Sequence, residues 1–312
     1  MKKISAMKNN SILITTFLIS ISGFLLFGSC EKRKLNREIV TTQDNTIANN
    51  TFDDIYNTFE KFDDTEKEIA LKSEEDLKDT CFQHPNFECL TICIQYVNIQ
   101  NWERIITLDF GASGCKIGDG RERKGKIIAH RKGRFRQQGS TSIYTTENYS
   151  IDNRKVEGIR SVTNIGRNSA NQLQFSVEVE GTITFEDGKK MEWDASRVNT
   201  WLEGSNTWVF GTLNDDGSID EIQWLGLDGI YDDVWEISGT ATGVNRNGRA
   251  FTSSIFTPLL VQWCSPFIEI TKGKVVVEPE DLTPRMVDFG DGDCDNEATV
   301  TINNRTHTFN LR

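Results

Sequence analysis

From Arg104 to the C-terminus the chain alternates apolar and polar residues in short runs, and turn dipeptides recur between the runs. VEVEGTITF passes through Asp187-Gly188 into KMEWDASRVNTWL, and ISGTATGV passes through Asn247-Gly248 into RAFTSSIF. FGTLNDDGSIDEIQWL repeats the pattern, and TINNRTHTFNL turns at Asn303-Asn304. A period of two sends alternate side chains to opposite faces of a strand. Asn-Gly and Asp-Gly supply the positive φ angles that two-residue hairpins require. These features predict an all-β fold, an antiparallel hairpin-rich sheet arranged as a meander, sandwich or barrel. EGTITFEDGKKMEWDAS also aligns loosely with SGTATGVNRNGRAFTSS, and a DFG-x-x-x-Cys element occurs in each half. Together they suggest a two-fold internal repeat.

Upstream of the sheet the period changes. Phe52, Ile55, Tyr56, Phe59 and Phe62 recur at helical spacing. They follow Thr51-Phe52-Asp53-Asp54, which resembles a capping box. One or two helices are therefore expected from Phe52 to about Leu77, within an acidic amphipathic segment over 51–80. Residues 53–79 carry eleven acids and four lysines. The acidic face is expected in solvent and the aromatic stripe on the sheet, with a partner-binding helix as the alternative.

The two DFG stretches, Asp109 to Cys115 and Asp288 to Cys294, admit three readings. A kinase site fails, because no Gly-rich loop, strand lysine or HRD loop accompanies them. Calcium fits the second copy better. Asp288, Asp291, Asp293 and Asp295 crowd around Gly290 and Gly292, and calcium takes hard oxygens on a flexible loop. Position twelve, however, is Thr299 rather than Glu, and the first copy keeps only Asp109 of these acids. What both copies share is a strand end, Asp, an aromatic, Gly and Cys. That layout suits a tight turn in which Gly takes positive φ, Asp accepts a backbone N–H, and Cys staples the turn.

Seven cysteines occur. With Cys30 set aside, Cys81, Cys89, Cys93, Cys115, Cys264 and Cys294 form an even set suited to disulfides in an oxidising compartment. The expected pairs are Cys264–Cys294, the two in the C-terminal half, and Cys115 with one of the 81/89/93 cluster. Zinc at Cys89-x-x-x-Cys93 with His84 is the alternative.

Residues 1–29 have the layout of a secretory signal: Lys2, Lys3 and Lys8, then an apolar run to Phe27, then small residues before Cys30. The apolar run is shorter than the roughly 20 residues of a spanning helix. Phe27-Gly28-Ser29-Cys30 resembles a bacterial lipobox, with Phe where Leu is usual, and marks Cys30 for lipidation. Residues 30–50 read as a disordered polar tether, and 81–312 as the disulfide-stapled β domain. Signal, Cys, polar tether and Gly/Asp-rich β domain together resemble envelope lipoproteins of Bacteroidota. The resemblance implies an outer-membrane anchor through lipid on Cys30, and location rather than activity. Lys32, Arg33 and Lys34 stand where surface-exported members carry acids, which favours the periplasmic face.

Removing residues 1–29 takes away three lysines and no acids, so the formal charge falls from −11 to −14. Such a chain has no general affinity for nucleic acid. Against that background Lys116–Arg136 holds nine basic residues and two acids. Arg131, Lys132 and Arg134 are candidate ligand contacts there, unless the run pairs with the acidic helix. Trp193 and Trp201 share one strand parity. They form either a glycan-stacking face or core. No GxSxG, HExxH or P-loop occurs, and no cofactor is implied beyond the calcium reading. The expectation is a non-catalytic binding or scaffolding lipoprotein whose partner is an envelope protein or a glycan. The alternatives are a glycan-binding module or glycoside hydrolase, and a calcium-stabilised adhesin-like surface protein.

Overall fold

The computed structural model describes residues 38–63, 65, 74–205, 232–265 and 267–311. The signal segment, Cys30 and the expected FGTLNDDGSIDEIQWL hairpin lie outside the described residues.

One 15-stranded antiparallel sheet carries the fold. Its strands are β1 (Thr80–His84), β2 (Phe87–Asn98), β3 (Glu103–Asp109), β4 (Cys115–Lys116), β5 (Glu122–Lys132), β6 (Thr141–Ile151), β7 (Arg154–Arg167) and β8 (Leu173–Thr184). They continue with β9 (Lys190–Glu203), β10 (Val234–Val244), β11 (Ala250–Cys264), β12 (Phe267–Pro279), β13 (Arg285–Asp291), β14 (Glu297–Ile302) and β15 (Arg305–Asn310). Each strand pairs with its sequence neighbours, except that β4 branches off and β3 pairs directly with β5. The expected hairpin-rich sheet is thus a meander. The turns at Asp187-Gly188, Asn247-Gly248 and Asn303-Asn304 join β8 to β9, β10 to β11 and β14 to β15. Asp152-Asn153, at φ 48° and 61°, makes a two-residue turn between β6 and β7 like that at Asn303-Asn304, whereas at Asp187-Gly188 and Asn247-Gly248 only the glycine takes positive φ, within the longer connections 185–189 and 245–249. The two echoing segments are adjacent hairpins of one sheet.

The helix differs from expectation. It runs as α1 from Val40 to Glu60. The stretch expected to be a tether therefore contributes its first eleven residues, and Thr51 lies mid-helix rather than at a cap. The chain's first helical turn is held instead by Glu38, whose carboxylate accepts the Thr41 N–H at 2.9 Å. Residues 40–50 read as unstructured because they are polar. They are helical because their polar groups are buried with partners. Thr41, Asp44, Asn45 and Asn49 are all buried. Trp193 Nε1 donates to Asn45 Oδ1 at 3.0 Å, and Asn245 Nδ2 donates to Thr41 Oγ1 at 2.7 Å.

The sheet curls around this helix. Within one helical turn, Asn50 donates to the Leu311 carbonyl at 2.9 Å and Asp53 pairs with Arg160 at 2.7 Å. Arg160 is on β7 and Leu311 follows β15, eight strand spacings away. In a flat sheet at roughly 4.8 Å per strand that is about 38 Å, against a helix diameter of roughly 10–12 Å. Only a strongly curved sheet brings both to one turn of α1.

The aromatic stripe does dock on the sheet. Phe52, Ile55 and Phe59 are at most 2% exposed. Phe52 stacks on Trp193 with ring centroids 5.8 Å apart. Its ring lies over a cross-strand glycine pair, Gly158 and Gly181. A Cβ on Gly181 would sit 2.0 Å from the ring, and one on Gly158 would sit 3.1 Å from it. Gly181→Ala is expected to cost about 1–3 kcal/mol through this overlap. Phe52→Leu in the same chain should recover part of the loss by clearing the space. Denaturant unfolding of the single and double variants checks this, and strictly additive losses would show that ring and glycine do not compete.

Candidate functional site: a cavity between helix and sheet

The acids of α1 are not in solvent; arginines from the sheet meet them. Arg285 of β13 lies 3.9 Å from the Glu38 carboxylate. Arg246, in the β10–β11 turn, grips Asp44 through its Nε at 2.7 Å and its backbone N–H at 2.8 Å. Asp53 pairs with Arg160 of β7 at 2.7 Å and with Arg197 of β9 at 3.8 Å. Asp54 takes Arg121 and Arg123, both at 3.0 Å. Glu60 and Asp63 share Arg131 of β5. Burial pushes the Arg197 guanidinium down to about 10 against the pull of Asp53.

The Arg131 cluster shifts its two carboxyls in opposite directions. Burial, reinforced by Asp63, raises Glu60 above the usual carboxylate range despite Arg131 and a hydrogen bond from Tyr144 at 2.8 Å. Burial also works to raise Asp63, but Arg131, Arg104 and the Thr65 hydrogen bonds outweigh it and leave Asp63 lowered. Arg131→Met removes the shared cation and should cost about 3–5 kcal/mol. Adding Glu60→Gln and Asp63→Asn should restore most of it. Because Asp63 is lowered in the folded chain, its contribution is complete above its unfolded pKa, about 4. That contribution is lost as pH falls through the folded value. Glu60 has the opposite sign, its burial cost being relieved as it takes up a proton. Asp63→Asn is thus expected to flatten the acid side of the stability profile below about pH 4, which urea titrations across pH would read.

Strand alternation divides the basic run. Arg123 and Arg131 point inward, at 0% and 4% exposure, and Lys132 is exposed on the outside. Arg134 stacks its guanidinium 4.1 Å from the centre of the Trp102 ring. Arg131 is therefore a structural cation rather than a surface ligand contact. Trp193 and Trp201, at 1% and 3% exposure, are core as well, so they offer no open face for a glycan. Their shared parity with Met191 and Ala195 points into the curl.

Both DFG stretches are stapled turns of one design. Asp109 Oδ1 accepts the Gly111 N–H at 2.9 Å, and Asp288 Oδ1 accepts the Gly290 N–H at 3.1 Å. Gly111 and Gly290 take φ of 68° and 88°. Phe110 and Phe289 are buried, and Lys126 and Lys274 pair with the two aspartates. Cys115 bonds to Cys89 and Cys294 to Cys264, while Cys81–Cys93 is the third disulfide. Both cysteines of the zinc alternative, Cys89 and Cys93, are thus committed to disulfides. Of the four calcium candidates Asp288, Asp291, Asp293 and Asp295, two are engaged in the turn itself. Asp288 serves Lys274 and the turn, and Asp295 accepts the Glu297 N–H at 3.0 Å. Among the described residues no three His, Cys, Asp or Glu side chains are grouped to hold a metal. Asp109→Ala and Asp288→Ala should each cost about 0.5–1.5 kcal/mol in unfolding experiments, the usual range for one such hydrogen bond.

A cavity of about 280 Å³ lies between α1 and the sheet. The curl builds its walls from distant strands: Tyr56 from α1, Val162 from β7, Val177 from β8, Ile237 from β10, Val261 from β11 and Ile270 from β12. Aromatic rings form one corner. Phe135 stacks on Phe175 at 4.6 Å, and Trp235 stacks on Trp201 at 4.6 Å. The segment carrying Phe135 is fixed by Asn164 Nδ2 and Ser140 Oγ, which donate to the Phe135 carbonyl at 3.0 and 3.1 Å. In the same cavity wall, Asn199 has its buried Oδ1 without a hydrogen-bond partner among the described residues. Asp233 also lines it and accepts the Trp201 Nε1 hydrogen at 3.0 Å. Burial, with Asp232 nearby, pushes the Asp233 carboxyl up to about 7, against the pull of Trp201, Arg136 and Trp235.

Of these residues the sequence had marked only Tyr56, in the aromatic stripe of the helix, and Trp201, as a glycan-stacking or core side chain. One signal was present: Arg197 and Asn199 share the parity of Trp193 and Trp201, placing polar side chains on a buried face. Comparison with protein-family models, with curated proteins and with solved structures finds no match for this chain.

Proposed function

We propose that this chain is a non-catalytic, lipid-anchored binding protein of the cell envelope that holds a small, mainly apolar ligand in the cavity between α1 and the sheet. The cavity is the observation that supports this reading. Small-ligand sites are typically concave, mostly apolar pockets with a few placed polar groups. This one combines aliphatic walls, an aromatic corner and two polar side chains, Asn199 and Asp233. Ion pairs on α1 and stapled turns in the sheet make it preformed. The anchor rests on the signal layout and Cys30.

Binding of N-phenyl-1-naphthylamine, which fluoresces on entering apolar surroundings, tests the cavity. The wild-type chain is expected to give saturable enhancement, and Val177→Trp, which fills the cavity from β8, to lose it while still unfolding cooperatively. Equal enhancement by both proteins, or none by either, would overturn the reading. The anchor has a separate test. Cys30→Ser should abolish metabolic labelling with palmitate and release the protein from the membrane fraction.

A further inference from the structure

The charges around the cavity are not distributed evenly. On the α1 side, Asp53 and Asp54 line it together with Arg160 and Arg121, the arginines that neutralise them. Asp233 differs. It makes no ion pair among the described residues, and its neighbours are the indole N–H of Trp201 on β9, Trp235 on its own strand, Asp232, and Arg136 from the β5–β6 connection. Arg136 is occupied elsewhere, with its guanidinium 4.7 Å from the centre of the Trp201 ring and its Nε donating to the Ser205 carbonyl at 3.1 Å.

Asp233 is met by Trp201, Trp235 and Arg136, and three further polar side chains line the same cavity. Register places Val234 opposite Gln262, and Gln262 opposite Glu269. Asp233, the residue before Val234, lines the cavity as do Gln262 and Glu269. Gln262 uses an N–H of its amide on the Gly292 carbonyl at 3.1 Å. Asn199, paired with Ile237 in the ladder, has its buried Oδ1 without a hydrogen-bond partner among the described residues. Hydrogen-bond donors on a ligand suit Asn199 and Asp233, and beside the Asp233 carboxylate positive charge is favoured over negative. Trp235 and Phe175, their centroids 5.7 Å apart, present aromatic surface to the same space. Aromatic faces attract cations as well as apolar groups.

We propose that this end of the cavity takes the protonated nitrogen of a small apolar amine, with Asp233 as its counter-ion and the aliphatic wall holding its body. The inference rests on reading the cavity as a binding site. It adds the class of ligand, and it separates this end from the α1 side, where the charges are already matched.

Octylamine, octanol and octanoate share one apolar body and differ in the head alone. Calorimetric titration of each into the wild-type chain at pH 8 is expected to give octylamine at least a ten-fold advantage over octanol, with octanoate weakest. In Asp233→Asn, which keeps an acceptor for Trp201, the advantage should fall toward one. The wild-type protein also carries its own control. Between pH 8 and pH 6 Asp233 gains a proton while the alkylammonium stays charged, so octylamine should weaken and octanol should not. Octanol binding as tightly as octylamine, octanoate binding tightest, or an amine preference that survives Asp233→Asn would each overturn the amine assignment and leave the cavity as a site. Absence of binding by all three would overturn both.

Discussion

A helix as acidic as α1 can lie inside a sheet only if each carboxylate meets a cation there, because an unpaired carboxylate loses several kcal/mol on leaving water. The sheet supplies those cations in order. Going along the helix from Glu38 to Glu60, the partners come from β13, the β10–β11 turn, β9 and β7, and then β5. The helix is read by the strands in reverse sequence order. Sliding α1 by one turn, roughly 5.4 Å, would strand every carboxylate away from its arginine. Such pairs add little net stability over apolar replacements. The driving force lies in Phe52, Ile55 and Phe59 and in the Trp193 stack, and the pairs fix where that force is applied.

The cavity follows from the same matching. Where Asp53 and Asp54 reach outward to long arginine side chains, helix and sheet are bridged by polar side chains rather than by interlocking apolar ones. The charged wall that results is already neutral. This is why Asp233, on the opposite wall and without an ion pair among the described residues, stands apart. Its proton affinity reflects burial that the pull of Arg136 and of the Trp201 and Trp235 hydrogen bonds does not outweigh.

Much of the sheet was legible because hairpin chemistry is local. Asp187-Gly188, Asn247-Gly248 and Asn303-Asn304 each specify a turn within four residues, whatever surrounds them. The stapled DFG turns were legible for the same reason, since Asp, Gly and Cys act on their immediate neighbours. The helix start was not. Thr41, Asp44 and Asn45 look like solvent-facing residues until Asn245, Arg246 and Trp193 are brought to them from about 150 to 200 positions away. Only the curl does that. The basic run and the tryptophan pair were ambiguous in a related way. Alternation tells which side of a strand a residue takes, but not whether that side faces a buried helix.

The early start of α1 also changes the geometry at the membrane. A polar tether reaching residue 50 would allow the domain a wide range of positions. With Glu38 already tied to Arg285, seven residues, or eight Cα–Cα steps, separate it from Cys30. Fully extended, they reach at most about 29 Å at roughly 3.6 Å each. Residues 30–37 carry four cations and one acid in an otherwise acidic chain, so the short leash is positive where it would meet anionic headgroups. A lipid on Cys30 would therefore hold the β13 side of the sheet close to the bilayer. Apolar ligands partition into a bilayer, and under the proposed anchoring a cavity held within a few nanometres of it would draw on that concentrated pool rather than on dilute solution.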